Sequence, residues 1–396
     1  MQGLFVFVAN GFNKENCRLQ PWRYVYELAK HQSANNRVIV VTEATGEAAR
    51  TTWSNNFDVL ETKLLGIKQQ SKLYELIESL EPDEIWWSST PRSIAYYPLL
   101  RRLTCRKVAF ITCPLYRWGE LMRASMAGVP YFQSKALWSQ RLVPRFMLRI
   151  MLNSPIFDHV VVQSRNNYSI LENHGVNTAK LSILPVGIDE EDAKPVNDDV
   201  LNRVRHTVTC SEKKMLFLYL GALRPIRGFD ALLKAFPSVV KKNPQAKLLV
   251  LARGADDKKC ADYSQQFKSQ GIADNVTIIG GWLEKDEVRA YIELSDIVVL
   301  PFVLVPSDIP IAALEALARS KPVIVSNVDG LPELAQGRGL VVDPLNIDKF
   351  ASHMADIAND ETQLSKYQQA ANDFMTSYPR WAGVGNIMDK ICSKYR

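Results

Sequence analysis

Short runs of branched and aromatic residues alternate with helix-length stretches along almost the whole of this chain. That alternation limits the possible folds more than any other feature. Strand-like runs stand at 4–9, 38–42, 84–87, 108–112, 159–163 and 181–184, with helical stretches such as 22–31 and 73–80 between them. The pattern then restarts, with strand-like runs at 215–220, 248–252, 276–279, 297–302 and 323–326. Runs this apolar fit parallel sheets covered by helices on both faces. The expected class is α/β, with two doubly wound parallel sheets facing each other across a cleft. The length of 396 residues suits two such units, expected at 1–200 and 205–378. The boundary falls within 189–207, which opens with Asp189-Glu190-Glu191-Asp192 and continues through Pro195 and Asn197.

Composition removes several classes. With 47% hydrophobic and 23% charged residues, the chain is not a disordered one. Its cysteines at 17, 105, 113, 210, 260 and 392 form no C-x-x-C pair. His206 and Cys210 have no second ligand pair, so no metal site is expected. Scattered thiols in a long chain fit a reducing, cytoplasmic compartment. The apolar stretch 4–9 lacks a preceding basic region and stops at Asn10-Gly11, which fits a first strand rather than a secretion signal. The longest apolar run, 297–306, is too short to cross a bilayer and holds two prolines.

The net charge of +6 looks unremarkable until it is located. Residues 101–150 hold ten Lys and Arg against Glu120 alone, a local +9, so the rest of the chain is net −3. The same segment carries Trp118, Tyr131, Phe132, Trp138, Phe146 and Met147, and Pro144 opens a helix with Arg145 and Arg149 one turn apart. Two readings fit: a surface for anionic lipid headgroups, or a solvated helix face whose other side is core. A single local patch does not point to nucleic acid.

Common chemistry motifs are missing. There is no G-x-G-x-x-G, no G-x-x-x-x-G-K-[ST], no G-x-S-x-G and no H-E-x-x-H. No D-x-D follows a strand, so no metal–diphosphate clamp is indicated. Two constellations remain. The first is Gly221-Ala222-Leu223-Arg224-Pro225-Ile226-Arg227-Gly228, between the strand 215–220 and a helix whose stripe is Phe229, Leu232, Leu233, Phe236, Val239 and Val240. Pro237 interrupts that helix, so a kink is expected there. A strand–loop–helix turn with glycines and two arginines suits a phosphate, although two solvated loop charges would read the same way. The second runs from Ser307-Asp308-Ile309-Pro310 into an alanine-rich helix carrying Glu315. Ser or Asp before a proline-containing first turn marks a helix start, whose free amides favour an anion. Glu315 is placed to accept hydrogen bonds from sugar hydroxyls, or is simply a surface helix former.

These stretches, taken in order, resemble the retaining family 4 glycosyltransferases (glycosyl transferases group 1), which have the GT-B fold. The loop 218–228 resembles the family's G-R-L-x-x-x-K-G. Gly280-Gly281-Trp282-Leu283, the run 295–301, Leu314-Glu315-Ala316-Leu317-Ala318 with Lys321-Pro322-Val323, Asp329-Gly330-Leu331-Pro332-Glu333 and Gly339-Leu340-Val341-Val342 follow in the family's order. Val161-Val162-Gln163-Ser164 and the run 184–189 match upstream.

The resemblance implies a donor site built from Gly221, Arg224, Arg227, Gly281, Trp282, Leu283, Ser307, Pro310, Ile311, Ala312 and Glu315. Arg227 takes the position of the diphosphate-binding lysine, and Glu315 that of the ribose-binding glutamate. Residues 281–283 match the nucleobase loop. Arg227, Glu315 and Asp308 are the expected catalytic side chains, and Gly11, Asn13 and Cys113 the expected acceptor side, with Arg18 and Trp22 also able to face an acceptor. Three positions depart from the pattern. Ser307 stands where the family has a glutamate, with Asp308 beside it; Ala222 replaces an arginine, whose charge Arg224 is placed to supply; and Cys113 stands where a histidine is usual.

The resemblance implies transfer of a hexose-type sugar from a nucleotide-diphosphate sugar to a glycan or lipid-linked acceptor, in polysaccharide, lipopolysaccharide or glycolipid assembly. It implies retention of configuration and no metal or other cofactor. The protein would be cytoplasmic, with a peripheral place on the inner face of a membrane if the basic segment binds lipid. The stretch 379–396 would pack back on the first unit. A sugar-nucleotide epimerase of the same fold, or a non-catalytic partner subunit, fits the same motifs.

Overall fold

The structure is a computed structural model and describes residues 3–208, 215–305 and 307–394. Cys210 lies outside these residues. Two sheets organise the chain. The first has eight strands: β1 (Leu4–Val8), β2 (Arg37–Glu43), β3 (Ala49–Ser54), β4 (Phe57–Thr62), β5 (Glu84–Ser88), β6 (Arg106–Ile111), β7 (His159–Val162) and β8 (Leu181–Ile183), in the order β3-β4-β2-β1-β5-β6-β7-β8. The second has six: β9 (Leu216–Gly221), β10 (Lys247–Arg253), β11 (Val276–Gly281), β12 (Ile297–Leu300), β13 (Val323–Ser326) and β14 (Gly339–Val342), in the order β11-β10-β9-β12-β13-β14. Every pairing is parallel except β3 with β4.

The alternation therefore reads correctly, and the eleven runs noted above all lie on strands. Three strands escape it. β3 is a solvent-facing edge in which only Trp53 is even half-buried, so it lacks the apolar run that marks its neighbours. The two-residue turn Asn55-Asn56, with Asn56 at φ 62°, was the readable signal for the β3–β4 hairpin. β14 is half-exposed for the same edge reason. By contrast, β1 and β12 are buried along their whole length, being covered on both faces.

In the second sheet the strand order reverses between β9 and β12. That switch point opens a crevice at the carboxyl ends of the strands, where doubly wound sheets bind ligands. Both loops singled out by the sequence start there, after β9 and β12.

The acidic stretch that opens 189–207 is not a solvated linker. Asp189 ion-pairs with Arg23 (2.7 Å) from the first sheet's helix Trp22–Gln32 and with Lys285 (2.8 Å) from the helix Lys285–Leu294 that flanks the second. The helix Asp198–Thr207 packs on Lys285–Leu294. The last helix, Trp381–Ser393, lies against Trp22–Gln32. There Asp389 binds His31 (2.8 Å) and Gln32 (2.6 Å). The approach is close enough to need Gly385, where an added Cβ would sit 2.2 Å from the His31 ring.

No described helix is long and apolar enough to cross a membrane.

Candidate active site

The loop after β9 is shaped by one residue. Gly228 has φ +68°, and a Cβ there would fall 1.7 Å from the carbonyl oxygen of Pro301, just past β12. Only glycine lets the loop press this close to the neighbouring strand. The consequence is that Arg227, in the short turn Pro225–Arg227, is tucked into the switch-point crevice. Its guanidinium lies 4.8 Å from the Phe302 ring centroid. Among the described residues it makes no ion pair. Burial, with Arg253 nearby, pulls its pKa down to about 10, so it stays charged at neutral pH. A half-buried cation without a counter-ion is poised for an anion. Arg224 is exposed at the start of the same turn.

Opposite the arginines begins the helix Ile311–Ala318. Its N-cap is Pro310, without a side-chain cap, so neither Ser307 nor Asp308 plays the capping part that the sequence suggested. The backbone stays extended through Pro310, which places Ile311 and Ala312 in the uncapped first turn. Such amides, at the positive end of the helix, suit an anion. Glu315, one turn further on, is half-buried and makes no hydrogen bond or ion pair among the described residues. Burial, then the nearby carboxylate of Asp192, pushes its pKa up to about 7. Lys285 and Arg253 act the other way.

The third wall is the end of β11. Gly281 and Leu283 are half-buried, while Trp282 is 61% exposed. Arg253, at the end of β10, stands in register with Gly281, and its neighbour Ala252 with Gly221. The structure thus brings Gly221, Arg227, Gly281, Trp282 and Glu315 to one crevice, with the first turn of Ile311–Ala318 among them. Cationic side chains and helix amides suit a diphosphate, a carboxyl suits sugar hydroxyls, and an exposed indole suits a base.

Two family profiles match the chain in succession: "Glycosyltransferase Family 4" over residues 22–192 and "Glycosyl transferases group 1" over residues 204–374. The chain belongs to this glycosyltransferase family. A GDP-mannose-dependent alpha-(1-6)-phosphatidylinositol monomannoside mannosyltransferase of Mycobacterium tuberculosis is 29% identical over 210 residues, 51% of this chain. That match spans 53% of the relative, about half its length. The protein of the same description from Mycolicibacterium smegmatis is 24% identical over 334 residues, 82% of this chain and 80% of the relative. Among solved structures, sucrose-phosphate synthase from Thermosynechococcus elongatus superposes with a TM-score of 0.73 at 17% identity, covering 99% of both chains. The fold is GT-B.

Asp308 is fully buried where the two halves meet, its amide donating to the Thr112 carbonyl (2.9 Å). Its carboxyl lies among Ser164, Asn167 and Asp329, and neither oxygen makes a well-formed hydrogen bond. Burial pushes Asp308 up to about 7 and Asp329 well above the usual carboxylate range, each raised further by a neighbouring carboxyl. Nearby, Glu333 accepts the amides of Arg165 (2.9 Å) and Asn166 (3.3 Å), and Asn166 Nδ2 donates to Asp329 (3.1 Å). Ser307 is also buried.

The loop after β1, which holds Gly11 and Asn13, is folded on itself. Asn13 accepts from the Asn16 amide, Asn16 Nδ2 donates to the Gly11 carbonyl (2.9 Å), and Trp22 Nε1 donates to the Asn10 carbonyl (2.8 Å). Cys113 is buried, its thiol pKa raised by burial, and its carbonyl accepts from Asn167 (3.0 Å). It lies beside the Asp308 cluster rather than at an open surface. Sequence reading passed over Arg253, although Arg253-Gly254 ends a recognisable strand, where ligand contacts cluster.

Proposed function

We propose that this glycosyltransferase moves a hexose-type sugar from a nucleotide-diphosphate sugar to a lipid-linked or glycan acceptor, with retention and without a metal. The observation that carries the reading is Arg227: a cation in the switch-point crevice, without an ion-pair partner, beside the uncapped start of Ile311–Ala318. Arg227, Arg253 and those amides would take the charge that develops on the leaving diphosphate. Glu315 would hold the ribose, and Trp282 would lie along the base. The acceptor hydroxyl would attack from the face that the diphosphate leaves, so no side-chain nucleophile is required. The relatives' names favour GDP-mannose as donor and a phosphoinositide lipid as acceptor.

A peripheral place on an anionic membrane accompanies this reading. Three successive helices, Trp118–Met126, Tyr131–Arg141 and Arg145–Asn153, expose Met126 (87%), Phe132 (69%) and Phe146, beside most of the +9 charge of 101–150.

The test is calorimetric titration with GDP, UDP, ADP and CDP, followed by transfer assays with the sugar nucleotide of the base that binds. Binding of one nucleotide, lost in Arg227→Ala and Glu315→Ala, supports the assignment. A non-catalytic subunit is the second reading, favoured by Ser307 and Ala222; it predicts binding of none.

A further inference from the structure

The chain crosses from the first half to the second through residues 189–197 and returns just before the helix Trp381–Ser393. The two crossings touch. Ile188 and Arg380 form a parallel bridge, and the Trp381 amide donates to the Ile188 carbonyl (3.3 Å). Beside them lies a cavity of about 440 Å³. Small-molecule sites occupy roughly 300–1,000 Å³ and occur preferentially where domains meet. One wall is the linker 193–196. A second is the carboxyl end of Ile311–Ala318, continued by Arg319 and Ser320. The third is the helix Glu361–Ser377, which presents Asn372 and Thr376.

Three cations line this cavity, and they are not equivalent. Arg319 is occupied by the fold, donating to Glu293 (3.0 Å) and to the carbonyls of Glu191 (3.3 Å) and Lys194 (3.1 Å). Lys194 has an exposed partner in Glu191 (3.6 Å). The Arg380 side chain makes no hydrogen bond, ion pair or ring contact among the described residues, and its Nη1 is buried without a partner. Its backbone is fixed, as the N-cap of Trp381–Ser393 and by the bridge to Ile188. A guanidinium drawn partly out of water without a counter-ion is unfavourable, and its planar fork matches a phosphate or a carboxylate. The rest of the lining suits hydroxyls: Ser320, Asn372 and Thr376 donate and accept, and Asp198 and Glu293 accept. Those two carboxylates also repel further negative charge, which favours a ligand with one charged end and a hydroxyl-bearing body. A bare anion would leave most of the cavity to water, and a neutral sugar would leave Arg380 unpaired.

We propose that this cavity binds a hexose-sized sugar carrying one anionic group, a phosphate or a carboxylate, with that group held by Arg380 and the sugar hydroxyls by the polar side chains of the walls. Both crossings line the cavity, so the ligand would fix how the two halves sit. Glu315 lies one turn before the cavity end of its helix, which links the cavity to the donor crevice. That effect on transfer rests on the function proposed above; the binding does not.

The experiment is calorimetric titration of the full chain with the 6-phosphates of glucose, mannose and galactose, and with glucuronate. Inorganic phosphate and glucose carry one feature each and should bind about tenfold or more weakly than the best of the four. Arg380→Gln should weaken that ligand about tenfold or more without lowering the melting temperature of the free chain, because the side chain it replaces has no partner to lose. Thr376→Trp, at an exposed position, should block the cavity with Arg380 intact. Tighter binding of a 6-phosphate assigns the site to phosphorylated sugars, and tighter binding of glucuronate assigns it to sugar acids; either supports the proposal. Binding of all four no tighter than glucose, or binding unchanged in both variants, overturns it. So does binding abolished by Arg227→Ala or by saturating nucleotide, which would place the anion in the donor crevice. Nucleotide titration of the same samples reads the donor site separately, so a failed cavity and a failed donor assignment are told apart.

Discussion

The guanidinium of Arg18 stands 5.4 Å from the centroid of the Trp282 ring, a contact between a short turn beside the first sheet and the end of β11 in the second. It joins the two halves at the indole assigned to the nucleobase. An exposed cation–π contact of this kind contributes only about 0.5–1 kcal/mol, whereas base stacking on an aromatic ring contributes about 1–3 kcal/mol. A base therefore outcompetes Arg18 for the ring. Trp282→Ala should weaken binding of the cognate nucleoside diphosphate about tenfold or more, and Arg18→Ala should change it less than threefold. Equal losses in calorimetry would mean that Arg18 itself contacts the nucleotide.

Glu315 carries a pH signature. Its pKa is raised to about 7, so between the ordinary carboxylate range and pH 7 the folded chain binds more protons here than the unfolded chain. Stability from this group is therefore lost as pH rises through that window. Ribose hydroxyls, however, donate best to the ionised form. Glu315→Gln should melt at a temperature about 2 °C or more higher at pH 8 while binding nucleotide at least tenfold more weakly. In the unmodified chain, donor affinity should rise from pH 6 to 8, and that rise should vanish in Glu315→Gln.

Much of this architecture was legible because it follows from period and position. Runs such as 4–9 and 297–302 are continuous in apolar residues since their strands are covered on both faces, and such runs are hard to misread. The loop 221–228 was legible for a related reason: glycines and arginines after a strand have few other uses. The course of the chain at Asp308 was not. Which way a carboxyl turns at a helix start depends on backbone geometry, here the extended Pro310, and on partners from the start of the helix Arg165–Asn173 and from the loop that follows β13. Arg253 was passed over because its relation to Arg227 runs across strand register, not along the chain.

The buried pair of Asp308 and Asp329 makes the contact between the two halves sensitive to pH. Both pKa values are raised, mainly by burial, so this contact is most stable when the pair holds a proton and loses stability as pH rises from the ordinary carboxylate range through about 7. Asp308→Asn removes that titration. The variant should match the unmodified chain in melting temperature near pH 4 and exceed it increasingly up to pH 8. A pH-independent difference would show that the pair does not share a proton.

Gly228 has no substitute. A Cβ 1.7 Å from the Pro301 carbonyl cannot be absorbed by a side-chain rotation, since the obstacle is backbone, and φ +68° is strained for alanine as well. Gly228→Ala should destabilise the chain by about 2–4 kcal/mol and displace Arg227 from the crevice. Differential scanning calorimetry and nucleotide titration together check it. A neutral melting temperature with normal binding would refute the packing described for this loop.

Ala222 leaves the glycosyltransferase without the arginine usual in this loop, and two residues are candidates to replace its charge. Arg224 is adjacent in sequence and, like Arg253, exposed. Arg253 ends β10, beside both Gly221 and Gly281, and its field reaches Arg227 and Glu315 together. A diphosphate between those two side chains would lie within its range, and a charge-assisted contact there is worth about 1.5–3 kcal/mol. Arg253→Ala should therefore weaken the nucleoside diphosphate about tenfold or more, with a much smaller loss for the free nucleoside, while Arg224→Ala costs less than threefold. The opposite ranking would return the missing charge to Arg224.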